Sequence, residues 1–106
     1  MRVRFAPEAI AQIEEIFAYI ERDSPSGAHK VRQRIERIAE LLGDYPGMAH
    51  VISEEGVYVF PVNPYPYLIF YSIEAGEVVI VSVRHGARER PGFHEPGVEF
   101  LPAPTF

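Results

Sequence analysis

Apolar residues in the first part of the chain recur every three or four positions, which is the spacing of an α-helix. Before them, residues 3–5 alternate like a short strand. Pro7 suits the first turn of a helix, because the backbone donor it lacks has no partner there anyway. We expect a helix from Glu8 to near Asp23. Its apolar face consists of Ile10, Ile13, Ile16, Phe17 and Ile20.

A second helix follows after a very short connection, so the two helices should be antiparallel neighbours. Ser24 can accept a hydrogen bond from the unpaired N–H groups of a helix start, and Pro25 fits the first helical position. We expect this helix to end near Leu42, with Gly43 as a left-handed cap. Its cations, which we interpret as a solvated face with weak ion pairs, are Lys30, Arg32, Arg34 and Arg37.

Beyond Pro46 the apolar pattern changes from helical to extended. Residues 56–62, 67–73 and 77–84 are rich in valine, isoleucine and aromatic residues, and turn residues separate them. Such short connections join antiparallel strands. The order strand, helix, helix, strand, strand, strand therefore predicts an α+β fold, in which a helical hairpin covers one face of a three-stranded antiparallel meander.

Both faces of this predicted sheet are apolar, although two helices can cover only one of them. Strict alternation would place Val79, Val81 and Val83 on one face of the last strand, opposite Val78 and Ile80. The preceding strand should place Ile69 and Tyr71 opposite Leu68 and Phe70. Because large exposed apolar patches usually mark binding sites, the second face should be packed by the tail or covered by a partner.

Length and composition indicate one small domain. The 106 residues are 47% hydrophobic and 24% charged, as expected of a folded globular chain. We assign residues 1–90 to this domain. The remaining segment, 91–106, contains four prolines and three phenylalanines, and we expect this Pro-rich tail to lie on the domain surface.

Charge and targeting signals narrow the classes of function. A formal net charge of -5 argues against broad electrostatic binding to nucleic acid, and we expect no sequence-specific nucleic-acid binding by the chain alone. The longest apolar stretch, residues 65–73, is about half of a membrane span, and no signal-peptide layout is present. We therefore expect a cytoplasmic protein without a membrane contact.

No cofactor or metal is expected. The chain has no cysteine, and His29, His50 and His94 lack the spacing of metal ligands. It also lacks a glycine-rich phosphate loop and a serine nucleophile motif.

Positive charge in the C-terminal half is concentrated at Arg84, His85, Arg88 and Arg90, since no lysine or arginine lies between Arg37 and Arg84. A histidine flanked by arginines could perform acid–base chemistry on a phosphodiester. Alternatively, Arg84 and His85 simply end a strand, Gly86 lets the chain turn, and Arg88 pairs with a helix carboxylate. The strands before them add only carboxylates and one histidine, so the local potential should repel RNA.

Several motifs resemble the RelE/ParE superfamily of type II toxin–antitoxin toxins, and more closely its ParE branch. They include PEA at residues 7–9, YPYLIFY at residues 65–71 and VRHGAR at residues 83–88. The resemblance extends over nearly the whole domain. One departure is the sequence MAH at residues 48–50, where family members often place an arginine.

This resemblance implies a toxin that a ParD-like antitoxin holds inactive and that poisons DNA gyrase by binding rather than by hydrolysis. Its target-binding patch would be Arg84, His85, Arg88 and Arg90. The antitoxin would cover the spare sheet face, which we assign to Leu68, Phe70, Val78 and Ile80.

Two alternatives remain open at this point. A RelE-like toxin would instead cut mRNA on the ribosome, with His85 as acid or base and with Arg84 and Arg88 as phosphate clamps. An inactive relative would keep only the fold and the antitoxin surface.

Overall fold

Two helices lie on one face of a five-stranded sheet in the computed structural model, which describes residues 1–51 and 56–86. The Pro-rich tail and the last part of the predicted domain lie outside the described residues. In chain order the elements are β1 (Arg2–Phe5), α1 (Pro7–Glu21), α2 (Pro25–Asp44), β2 (His50–Val51), β3 (Tyr58–Pro61), β4 (Tyr67–Glu74) and β5 (Glu77–His85).

The predicted α+β fold is confirmed, with the helical hairpin and the antiparallel meander β3–β4–β5. The sheet order is β1-β5-β4-β3-β2. β1 pairs in parallel with β5, so Val3 lies opposite Val78 and Phe5 opposite Ile80. β2 is a two-residue edge strand that the sequence analysis missed. β5 is therefore an inner strand, with β1 on one side and β4 on the other.

The two helix starts follow the local rules closely. Pro7 and Pro25 are the first residues of their helices. The Ser24 hydroxyl accepts a hydrogen bond from the Gly27 N–H at 2.9 Å, which confirms it as the N-cap of α2. A start of this kind allows α2 to follow α1 directly and to turn back along it.

Gly43 does not form the left-handed cap that the sequence suggested. It lies inside α2, where the N-terminal ammonium of Met1 donates to its carbonyl oxygen at 2.8 Å. A Cβ atom at Gly43 would lie only 2.8 Å from the Met1 carbonyl oxygen. Glycine is needed here because the start of the chain passes so close to the helix.

The main core lies between the helices and the sheet. α2 contributes Val31, Ile35, Ile38 and Leu42, as predicted from its apolar face. From the sheet come Tyr67, Ile69, Tyr71, Val78, Ile80 and Val83, and Val62 joins them from the turn after β3. This helix-packed core fixes α1 and α2 on one face of the sheet through apolar burial.

A bulge in β5 overturns the predicted alternation of its side chains. Phe70 lies opposite Ser82 but Tyr71 lies opposite Ile80, so Val81 is an extra residue in β5. Val83 therefore joins Val78 and Ile80 in the helix-packed core, whereas Val81 packs on the other face. Strict alternation was wrong because one inserted residue changes the face of every residue after it.

The other face of the sheet, called the outer face below, is apolar but is not an exposed patch. Val59, Leu68 and Phe70 form a small buried cluster there, and Leu68 and Phe70 are only 2% and 5% exposed. The large apolar residues exposed in the described part of the chain lie elsewhere, at Met1, Ile10, Tyr19, Tyr45 and Met48. The outer face therefore gives no evidence for a binding partner, because its apolar residues are already buried.

Within the described residues, neither helix combines the length and apolar character that crossing a membrane requires.

Tyr71 connects the sheet to the turn that follows α2. Its hydroxyl donates a hydrogen bond to the Pro46 carbonyl oxygen at 2.7 Å, and its ring stacks on Tyr58 with centroids 5.0 Å apart. Burial raises the pKa of the phenol from 10.0 to about 12, the neighbouring Tyr58 adds to the rise, and a backbone hydrogen bond with Ala49 lowers it. The protonated phenol is therefore part of the folded structure.

This raised pKa predicts a loss of stability at high pH. The contribution of Tyr71 is complete below pH 10, the unfolded value, and declines as pH rises toward 12. Between these limits wild type should lose about 2 kcal/mol of unfolding free energy that Tyr71→Phe does not lose. Urea unfolding at a series of pH values measures this difference. Tyr45→Phe, which removes an exposed hydroxyl, is the control, and parallel curves for wild type and Tyr71→Phe would contradict the assignment.

Candidate functional site

The predicted cationic patch begins at the end of β5, where successive side chains lie on opposite faces of the sheet. Arg84 and His85 are the last residues of β5, opposite Leu68 and Tyr67 respectively. Consecutive residues of a strand face opposite sides of the sheet. The two residues therefore do not form one cluster, contrary to the sequence prediction.

His85 faces the helices. Its imidazole meets the Tyr67 ring edge to face, with centroids 5.5 Å apart. Beside it is an open cavity of about 440 Å³ between α1 and the end of β5. We call this the His85 cavity. Its side chains from α1 are Gln12, Glu15, Ile16 and Tyr19, and those from the sheet include Tyr67, Val83 and His85.

A hydrogen bond from β5 to a glutamine of α1 positions the wall of this cavity. The Val83 N–H donates to Gln12 Oε1 at 2.8 Å. The register of β1 along β5 ends at Phe5 opposite Ile80. Beyond that point Gln12 supplies the acceptor that a neighbouring strand would otherwise provide. The side chain thereby holds α1 against the end of β5 that carries Arg84 and His85.

Two aromatic rings, an imidazole and a carboxylate give the His85 cavity its chemistry. Tyr19 is exposed, and the guanidinium of Arg22 lies 5.4 Å from the centre of its ring. Glu15 adds an exposed carboxylate from the same helix. Such a surface suits contact with a protein side chain better than with a phosphate, which a carboxylate repels.

Arg84 also borders this cavity, but its charged group lies on the outer face. The guanidinium carbon is 5.4 Å from the centre of the Phe70 ring. Such cation–π contacts combine apolar packing with charge. The Arg84 guanidinium therefore packs against the Phe70 ring of the outer face, whereas the His85 ring faces the helices.

Arg88 and Arg90, the other two residues of the predicted patch, lie outside the described residues. His29 and the backbone of His50 belong to separate elements, α2 and β2, while His94 lies outside the described residues. In the part of the chain that the structure describes, no three metal-binding side chains come together.

The four residues assigned to the antitoxin do not share a surface. Leu68 and Phe70 lie on the outer face, whereas Val78 and Ile80 are fully buried in the helix-packed core. That assignment was wrong for Val78 and Ile80, because the sequence analysis grouped residues of two strands without knowing their register. A partner can reach neither of them in the folded chain.

Sequence reasoning missed the contribution of α1 to this site. Gln12, Glu15 and Tyr19 are spaced by three and four residues and so lie on one side of α1, next to its apolar face. None of these three residues was predicted to belong to a site. The spacing was a visible signal, but nothing local indicated that the end of β5 would lie beside it.

Comparisons with known proteins agree with this architecture. Residues 3–90 match the profile of a family described as the ParE toxin of the type II toxin–antitoxin system parDE. A chain titled as part of a chromosomal ParDE system from P. aeruginosa superposes with a TM-score of 0.70, covering 80% of this chain and 95% of that one at 20% identity. That likeness concerns the fold.

Two relatives are similar in sequence. The candidate toxin Y4kP of Sinorhizobium fredii is 31% identical over 90 residues, which covers 85% of this chain and 93% of the relative. Toxin RelE2 of Caulobacter vibrioides is 34% identical over 82 residues, covering 76% and 89%. The fold is that of RelE/ParE-superfamily toxins, and the chain belongs to the ParE toxin family of type II toxin–antitoxin systems.

The hydrogen bond between α1 and β5 can be tested directly. Gln12→Leu keeps the helical side chain at similar size but leaves the Val83 N–H without its acceptor, which should cost about 1–3 kcal/mol of unfolding free energy. Urea denaturation measures the loss, and the Val83 amide should also exchange faster with solvent. Gln33→Leu, at an exposed position of α2, is the matched control. Equal stability of the two variants would contradict the proposed anchor.

Proposed function

We propose that this ParE-family chain inhibits DNA gyrase by binding and is neutralised by a ParD-like antitoxin. The match over residues 3–90 is the observation that carries the proposal. The proposed site of action is the cytoplasm, where gyrase works on the chromosome. Plasmid or chromosome stabilisation would follow from the pairing of such a toxin with its antitoxin.

The geometry at the end of β5 supports binding rather than hydrolysis. Acid–base cleavage of a phosphodiester needs cations around the histidine, because charge develops on the phosphate in the transition state. Arg84 borders the His85 cavity, but its guanidinium packs 5.4 Å from the centre of the Phe70 ring, and the cavity also carries the Glu15 carboxylate. Two separate contacts with a protein target fit this arrangement better.

The target contacts that we propose are Arg84 and His85, together with Arg88 and Arg90, which lie outside the described residues. Arg84 suits a carboxylate of gyrase or a phosphate of its bound DNA, since a guanidinium can form two parallel charge-assisted hydrogen bonds. His85 would contribute with Tyr67 and Tyr19 through the His85 cavity. Aromatic residues and arginine are the side chains that most often dominate binding energy at interfaces.

Antitoxin binding is supported by the family and by the structural neighbour, which comes from a chromosomal ParDE system. The buried Val78 and Ile80 are not part of the proposed contact. An exposed apolar sheet face no longer supports it either. The proposal therefore rests on the family and on the structural neighbour.

A gyrase assay with supercoiled and relaxed plasmid tests the target. Wild-type protein should inhibit supercoiling and increase trapped DNA breaks, and the antitoxin should reverse both effects. Arg84→Gln should raise the concentration for half inhibition by about tenfold or more, because a charge-assisted hydrogen bond contributes about 1.5–3 kcal/mol. Urea unfolding of the same variant checks that it stays folded.

Arg2→Gln serves as the matched control, since it removes an exposed arginine opposite Glu77, at the other end of β5 from Arg84. It should inhibit gyrase as well as wild type does. Unchanged supercoiling and no trapped breaks with wild-type protein would contradict the gyrase proposal. Equal losses in the two variants would remove Arg84 from the contact.

A ribosome-dependent endoribonuclease is the second candidate, because a relative that is 34% identical is named RelE2. In that case His85 would act as acid or base, and Arg84 and Arg88 would clamp phosphates. The separation of Arg84 from His85 weighs against this role for Arg84. Cuts in ribosome-bound mRNA that disappear in His85→Ala would establish it.

The last alternative is a relative without toxicity. Expression of the chain without its antitoxin distinguishes it, because cells would then grow normally.

A further inference from the structure

A second cavity, of about 610 Å³, lies between α2 and the turn that joins β3 to β4. Lys30, Arg34 and Arg37 line it from the helix, and residues 63–65 line it from the turn. We call it the α2 groove. It has no lining residue in common with the His85 cavity.

The cations of the α2 groove form a single row. Lys30, Arg34 and Arg37 are spaced by four and three residues, so they lie on one side of α2. At a rise of about 1.5 Å per residue the row is roughly 10 Å long. These residues were predicted to form an ordinary solvated face, because the sequence does not show that the turn between β3 and β4 lies beside them.

Polar contacts join the helix and the turn into one structure. The Arg34 Nε donates to the Asn63 carbonyl oxygen at 2.7 Å, and the Tyr65 N–H donates to the Val62 carbonyl oxygen at 2.7 Å. Tyr65 is half-buried and packs against the helix-packed core. The groove therefore combines a cationic wall with a fixed aromatic and prolyl wall.

The local charge of the groove is opposite to that of the whole chain. The formal net charge is -5, yet none of the residues that line the groove is acidic. Arg37 pairs with Glu40 at 3.1 Å, but both side chains are exposed, so an incoming carboxylate can replace this weak pair. The α2 groove is thus a small cationic site on an anionic protein.

We propose that the α2 groove binds an acidic segment of a protein partner. One carboxylate would meet Lys30 and another Arg37, and an apolar side chain of the segment would pack on Pro64 and Tyr65. The inference rests on the proposed function for the identity of the partner, which we take to be the antitoxin. It assigns a contact surface that the family membership does not specify.

A nucleic acid fits this groove less well. Glu36 and Glu40 lie on the same helix, so the cationic row is short and flanked by carboxylates. A polynucleotide needs several phosphate contacts for useful affinity, and the field of an anionic chain opposes its approach. A peptide with two carboxylates can bind through the short cationic row of the groove alone.

The first test measures binding of the purified antitoxin by calorimetry. Lys30→Gln/Arg37→Gln should raise the Kd by about tenfold or more and weaken its dependence on salt. The control Arg2→Gln/Arg4→Gln removes the same charge from β1, away from both cavities, and should change the Kd by less than about twofold. Equal effects of the two double variants would overturn the groove assignment, whereas no antitoxin binding by wild type would overturn the proposed function.

A second measurement decides the groove independently of the antitoxin. Wild-type protein is titrated in NMR with a synthetic 12-residue peptide of glutamate and leucine, and separately with a 12-residue oligothymidine. The peptide should shift the amide signals of Lys30, Arg37 and Tyr65, and the groove variant should lose those shifts. No shifts at these residues, or tighter binding of the oligothymidine there, would overturn the inference.

Discussion

The inner strand β5 is the constraint on which the rest of the structure depends. It pairs with β1 on one side and with β4 on the other, and its apolar residues are part of the helix-packed core. Where β1 ends, Gln12 takes over the hydrogen bond from the Val83 N–H. α1 is thereby held beside Arg84 and His85, the last residues of β5, which we propose contact the target.

Much of the fold could be predicted from local rules. The helix starts at Pro7 and Pro25, the Ser24 cap and the antiparallel meander all follow from spacing, capping and turn residues. The features that the sequence did not predict depend on contacts between residues that are distant in the chain. Gly43 is close to Met1, more than forty residues away, and only the folded chain shows why a glycine is required there.

The candidate site illustrates the same limit. The charge pattern identified Arg84 and His85, but it suggested one cluster where the strand produces two opposite faces. The bulge at Val81 also moved Val83 to the helix side, and no signal in the local sequence marks that insertion. Gln12, Glu15 and Tyr19 complete the His85 cavity from a helix about seventy residues earlier. Register and long-range packing, rather than residue type, decide which side chains meet.

These features support our proposal that Arg84 and His85 make two separate contacts with the target. The most direct measurement is a double-mutant cycle of Arg84→Gln and His85→Gln on gyrase inhibition. Because the two side chains lie on opposite faces, their effects should add within about 0.5 kcal/mol. A loss in either single variant as large as that in the double variant is typical of residues that act as one unit, and it would contradict this account.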